Sequence, residues 1–165
     1  MRGCLVNDDK APGDSRSSGR ILALDPGRRR TGIALSDPAG SLASPLETVS
    51  LPLRSLLQHI RGLIAEHAVY CVLIGYPRLP SGDPGEIAAL SEEIALRLRR
   101  STDVEVVLWD ETLSSWEAER LLSESSARRR RDRGAVDRLA AALILQDYLD
   151  HRGSSGVESV ESPDE

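Results

Sequence analysis

Phenylalanine is absent from the 165 residues, and the rings present are two tryptophans and three tyrosines. A core of stacked aromatics is therefore excluded. Leu, Ile, Val and Ala must fill it, a set that suits an α/β protein with buried strands. Cysteine is as scarce: Cys4 falls in a polar stretch and Cys71 in an apolar run, so no disulfide framework is expected. His59, His67 and His151 are scattered, and no Cys/His zinc spacing exists. No apolar run reaches membrane-spanning length, and the N-terminal stretch lacks the apolar segment of a signal peptide. The expected setting is a reduced cytoplasm, without a membrane partner.

Charge of one sign does not dominate. The net charge is −5, and Glu158, Glu161, Asp164 and Glu165 stand together at the C-terminal end. Two arginine clusters occupy the middle, Arg28-Arg29-Arg30 and Arg128-Arg129-Arg130-Arg131 with Arg133. An acidic total does not itself argue for nucleic acid, but clustered arginines can follow a phosphate backbone.

The length fits one domain. Residues 1–19 are rich in Gly, Ser, Asp and Pro and read as a disordered lead; residues 153–165 read as a disordered acidic tail. The folded domain is expected over 20–152. Ile21 to Asp25 is an apolar run ending in an acid, a strand pattern. Pro26-Gly27 is a turn signal, Thr31 to Ser36 a second strand, and Asp37-Pro38-Ala39-Gly40 a further turn. Leu42 to Val49 reads as a third strand. Short turns between them predict an antiparallel meander. The period then changes. Leu53, Leu56, Leu57, Ile60, Leu63 and Ile64 recur at helical spacing, as do Ile87, Leu90, Ile94, Ala95 and Leu98. Val69 to Ile74 and Val104 to Trp109 are buried strand patterns. Ser114-x-x-Glu117 is a capping box for a helix through Leu122, and a last helix is predicted from Gly134 to Asp150. The order β-β-β-α-β-α-β-α-α gives an α/β fold: a mixed five-stranded sheet, a three-strand antiparallel meander plus two parallel crossover strands, flanked by helices. This order is similar to that of an RNase H-like domain.

Acids end the apolar elements. Asp25 closes the first strand, Asp110 and Glu111 close the last, and Asp137 lies in the first turn of the final helix. Asp137 shares a helical face with Ala140, Ala141, Ile144, Leu145 and Tyr148. A carboxylate on an apolar face is costly without a compensating charge. Asp25 and Glu111 meet at the strand ends if their strands are neighbours, and Asp137 can approach from the covering helix. Three converging carboxylates repel one another unless a cation lies between them. Oxygen-only donors favour Mg²⁺ or Mn²⁺, and two such ions about 4 Å apart can activate water and stabilise a leaving phosphodiester oxygen. Each acid also has a plainer reading: Asp25 as a turn residue, Asp110 or Glu111 as a helix cap, Asp137 as an acid favoured by the helix dipole. Arg28, Arg29 and Arg30 follow Asp25 and can hold backbone phosphates; a solvated loop is the alternative. Trp109 and Tyr76 read as core or site-wall residues. Gly32, within a strand, allows a close backbone approach.

Four segments carry a resemblance. Asp25-Pro26-Gly27-x-x-x-Thr31-Gly32-Ile33-Ala34-Leu35-Ser36-Asp37-Pro38, continued by Pro45-Leu46-Glu47-Thr48, resembles the opening motif of the YqgF/RuvX family. Leu73-Ile74-Gly75-Tyr76-Pro77 with Ser81-Gly82, Asp110 to Ala118, and Arg133-x-x-Val136-Asp137 through Leu149 are similar to its later motifs, in order and at matching spacing. The resemblance implies an RNase H-like fold and nuclease action in maturing the 5′ end of pre-16S rRNA, with action on Holliday junctions also proposed for the family. It implies an acidic site of Asp25, one or both of Asp110 and Glu111, and Asp137. Asp25, Glu111 and Asp137 would be the ligands of two Mg²⁺ or Mn²⁺ ions, and Arg133 a substrate-side cation. Thr112 stands where the family usually has Arg, Arg133 where it has Lys, and Tyr76 to Pro80 lacks the usual Asn-Met.

The sequence leaves the substrate open between pre-rRNA and branched DNA, and the assembly open between monomer and homodimer. A resolvase needs two sites on two strands and hence a dimer. A non-catalytic RNA-binding assembly factor is a further reading, in which an Asp25→Asn variant keeps its function.

Overall fold

The computed structural model describes residues 19–77, 85–110 and 133–155. Its elements are β1 (Arg20–Pro26), β2 (Thr31–Ser36), β3 (Ala43–Val49), α1 (Leu53–Glu66), β4 (Val69–Tyr76), α2 (Glu86–Ser101), β5 (Glu105–Asp110) and α3 (Arg133–Ser155). The segment of the predicted Ser114–Leu122 helix lies outside the described residues. α3 runs five residues past its expected end at Asp150.

The five strands form one sheet in the order β3-β2-β1-β4-β5. β1, β2 and β3 are antiparallel neighbours, while β1–β4 and β4–β5 are parallel, so the expected meander and crossovers are present. The condition of adjacent first and last strands is not met. β1 and β5 are not neighbours, because β4 lies between them. Two strand spacings, roughly 10 Å, therefore separate their ends.

Both faces of the sheet are covered, so the central strands read as unbroken apolar runs. Leu22, Leu24, Ile33, Val72, Ile74, Val106 and Leu108 pack on one face against α1 and α2, where Leu56, Leu57, Ile60, Ile94 and Leu98 are buried. Ile21, Ala23, Ala34, Cys71, Leu73 and Val107 pack on the other face against α3. On α3 the buried residues are Ala141, Ala142, Ile144, Leu145 and Leu149. Of the expected stripe, Ala141, Ile144 and Leu145 are buried, Ala140 is half-buried, and Tyr148 packs half-buried against this core, while Ala142 and Leu149 join the buried set. A phenol is amphipathic and settles at the edge, where its ring meets Trp109 edge-on at 5.1 Å. Each fully buried Leu or Ile contributes about 1.5–3 kcal/mol.

Polar detail fixes the loops. The Asp37 carboxylate accepts hydrogen bonds from the backbone of Leu42 and Ser41 and from the Ser41 hydroxyl. These donors, that of Leu42 first, hold its pKa below the usual carboxylate range. Ser36 is buried, and its Oγ accepts the Ile21 N–H at 2.8 Å. Ser36→Ala leaves that donor without its partner inside the protein, and should cost about 1–3 kcal/mol. Urea unfolding should show a lower midpoint at unchanged slope. An unchanged midpoint would show that water replaces the hydroxyl.

Among the described residues no helix is long and apolar enough to cross a membrane.

Candidate active site

Alternation along β1 decides where Asp25 points. Ile21 and Ala23 belong to the α3 face and Leu22 and Leu24 to the opposite one, so Asp25 continues the α3 face at the strand's C-terminal end. Asp25 is half-buried there and pairs across the sheet with Gly32 of β2.

Gly32 lets the last helix come down onto the sheet. A Cβ at this position would run into the backbone carbonyl of Asp137, with the Arg138 nitrogen at 3.0 Å. No side chain therefore separates β2 from the first turn of α3, and Asp137 stands directly over the residue that pairs with Asp25. Thr48 on β3 fixes the same turn by donating its hydroxyl to the Gly134 carbonyl at 2.5 Å.

Asp137 receives a cation from this same end of the sheet. Arg30 Nε donates to Asp137 Oδ2 at 2.6 Å, an ion pair with 36% and 27% of the two side chains exposed. The turn that presents Arg30 is tight: the Gly27 N–H bonds the Arg30 carbonyl at 2.8 Å, and a Cβ on Gly27 would sit 2.8 Å from that oxygen. Ser50 Oγ anchors the turn a second time, donating to the Arg29 carbonyl at 2.8 Å.

The other candidates are distributed as follows. Asp110 pairs with Tyr76, which is buried on the α1/α2 face, so alternation sets Asp110 on the face opposite Asp25. Glu111, Thr112, Arg128 to Arg131 and Ser81-Gly82 lie outside the described residues. Arg28 is exposed and meets the exposed Glu86 at 3.4 Å, a solvent-screened contact of little worth. Arg133 is exposed at the start of α3. Trp109 is half-buried on the α3 face, its indole N–H bonded to Asp147 at 3.0 Å. Tyr76 is buried and donates to Glu92 at 2.8 Å, so it is a core residue. Burial pushes the phenol of Tyr148 well up, reinforced by Cys71 and opposed by Arg152.

Asp25 and Asp137 offer only carboxylate oxygens, the donor type that hard divalent ions take. A guanidinium already lies on one of them, which is what a carboxylate at the rim of an apolar face requires. The residues present thus fit a divalent cation. Among the described residues no three His, Cys, Asp or Glu side chains gather closely enough to hold a metal ion, and Glu111 is not among those residues.

Sequence reading singled out Asp25, Asp137 and the backbone approach at Gly32, and the structure sets these three at one end of one sheet face. It did not identify Arg30 as the partner of Asp137. The available signal was a cation two residues before the glycine that carries the helix, but nothing local says which acid it meets.

A mixed sheet in the order β3-β2-β1-β4-β5 with helices on both faces is an RNase H-like fold, here with an acid at the C-terminal end of β1 and another above β2. The solved T. thermophilus RuvC in complex with a Holliday junction substrate shares this fold, with a TM-score of 0.55 at 12% identity over 83% of this chain and 97% of that one. The chain belongs to the RuvX family: the family model described as "RuvX: Holliday junction resolvase" matches residues 19–151. Curated relatives described as "Putative pre-16S rRNA nuclease" include one from Geobacillus kaustophilus, 39% identical over 81% of this chain and 99% of its own. Another, from Syntrophus aciditrophicus, is 43% identical over 79% of this chain and 88% of its own. Relatives and family alike are nucleases, which places the chain among hydrolases that act on nucleic acid.

Proposed function

We propose that this nuclease cleaves phosphodiester bonds at the 5′ end of pre-16S rRNA, at a divalent-ion site formed by Asp25, Glu111 and Asp137. The observation that carries the reading is the stacking of Asp137 on Gly32, the cross-strand partner of Asp25, which brings two acids distant in sequence to one end of one sheet face. The substrate follows from the relatives described as pre-16S rRNA nucleases, which match nearly from end to end. A reduced cytoplasm suits that substrate and the buried thiol of Cys71.

The placement of Asp110 leaves Glu111, which the sequence resemblance also offers, as the third acid of this reading. Asp110 belongs to the face of Val106 and Leu108, opposite Asp25. Bound Mg²⁺ or Mn²⁺, one or two ions, would supply charge compensation and a polarised water. The chain's own contribution is to hold the carboxylates rigidly and to grip the strand. Arg28, Arg29 and Arg133, at the rim of this end, would contact backbone phosphates and carry no base readout.

A second reading has specific support. The matching family model is described by Holliday junction resolution, so four-way DNA is the competing substrate. One experiment separates the two: purified protein on labelled pre-16S leader RNA and on a four-way DNA junction, each with Mg²⁺, Mn²⁺ or EDTA. The expected result is divalent-dependent cutting of the leader and none in EDTA. Cutting confined to the junction moves the assignment to resolution. Undiminished cutting in EDTA refutes the metal site.

A further inference from the structure

We propose that Arg30 is a built-in counter-cation for Asp137, one that a divalent ion must displace and that a substrate phosphate draws away. The inference rests on the metal-site reading above and adds a coupling between metal and substrate binding that runs through one side chain.

The pair is not a casual surface contact. Its partners lie 107 residues apart, yet both backbones are pinned. Arg30 sits in a turn closed by the Gly27–Arg30 hydrogen bond and tied to Ser50 through the Arg29 carbonyl. Asp137 is held by the Gly32 contact and by the bond from Thr48 to Gly134. Little chain entropy is therefore lost in forming the pair, and both groups are only about one-third exposed. Such a bond is stronger than a solvent-screened one.

The mode of contact matters equally. Arg30 engages Asp137 through Nε. A guanidinium carries five N–H donors, so four on the two terminal nitrogens are not used by this bond. Those four suit the oxygens of a phosphate, which guanidinium grips bidentately. Without substrate, Arg30 neutralises Asp137 and competes with the metal for the same carboxylate. With a phosphate at the rim, the guanidinium turns toward it and Asp137 becomes available to a cation. Metal and substrate then favour each other's binding by the same factor, as linkage requires.

The test measures binding, not turnover. Mn²⁺ is titrated calorimetrically into wild type, Arg30→Gln, Arg30→Lys, Asp25→Asn and Asp137→Asn, with and without a phosphorothioate-linked RNA oligonucleotide. Arg30→Gln should bind Mn²⁺ roughly five- to tenfold more tightly than wild type. Its metal-free Tm should nevertheless fall by about 2–4 °C, because Asp137 loses its partner. The oligonucleotide should tighten Mn²⁺ binding in wild type and leave it nearly unchanged in Arg30→Gln. Arg30→Lys keeps the charge without the fork, so it should bind Mn²⁺ somewhat more tightly and lose the coupling. It reads the same question if the glutamine variant does not fold. Unchanged or weaker Mn²⁺ binding in the Arg30 variants overturns the proposal and leaves Arg30 as a support for Asp137. If Asp25→Asn and Asp137→Asn bind Mn²⁺ as wild type does, the metal-site reading has failed instead.

Discussion

Gly32→Ala should cost roughly 2–4 kcal/mol of stability and remove most of the cleavage activity, although it adds a single methyl group. The new Cβ would collide with the carbonyl of Asp137 and lie 3.0 Å from the Arg138 nitrogen, all backbone atoms. No flexible side chain can swing aside. The start of α3 must lift off β2, and the lift moves Asp137 away from the strand end that carries Asp25. It also strains the bonds from Thr48 to Gly134 and from Arg30 to Asp137, which hold the same turn. Urea unfolding should show the lower midpoint. Hydrogen exchange should show loss of protection centred on the first turns of α3, while β1 and β4 stay protected. Wild-type stability and exchange in Gly32→Ala would mean that the helix does not depend on this contact.

Asp25→Asn should lower cleavage by on the order of 10³-fold or more while the fold survives, the scale on which removing one electrostatic group from an active site acts. The amide is isosteric with the carboxylate, and residue 25 is half-buried at a strand end, so the packing of Ile21 to Leu24 is untouched. What changes is the charge offered to a cation. The control is Asp110→Asn. Asp110 belongs to the face of Tyr76, Val106 and Leu108, opposite Asp25, and its substitution should change cleavage only a few-fold. Single-turnover rates on the same RNA, with circular dichroism to verify folding, decide the matter. Equal losses in the two variants would make Asp110 the third acid in place of Glu111. Full activity in Asp25→Asn would leave Asp25 as a turn residue and would favour a role in RNA binding alone.

Much of this design is legible in one dimension. The apolar runs Ile21–Leu24 and Val69–Ile74 mark strands covered on both faces, and the structure buries all of Ile21–Leu24. The spacing of Leu56, Leu57, Ile60 and Leu63 marks α1, and those four residues form its buried stripe. Gly32 in the middle of a strand signals close approach. Asp137 on the apolar side of a helix signals an acid turned toward the sheet. Each of these is a local regularity, a period or a residue type at odds with its surroundings, and local regularities survive without knowledge of the fold.

What the sequence by itself determined, then, is the order of the described elements, the meander, an acid at the end of β1, an acid on the apolar side of α3 and the glycine between them. Only tertiary structure decided that β4 stands between β1 and β5, since apolar patterning marks a strand as buried without naming its neighbours. Only tertiary structure set Asp110 against Asp25 on opposite faces, because the face follows from where alternation begins in the assembled sheet. Only tertiary structure joined Arg30 to Asp137 across 107 residues. A charge in an arginine run looks the same whether water or a carboxylate meets it. The difference lies in the turn at Gly27 and the seat at Gly32, which bring the two backbones close enough for one hydrogen bond.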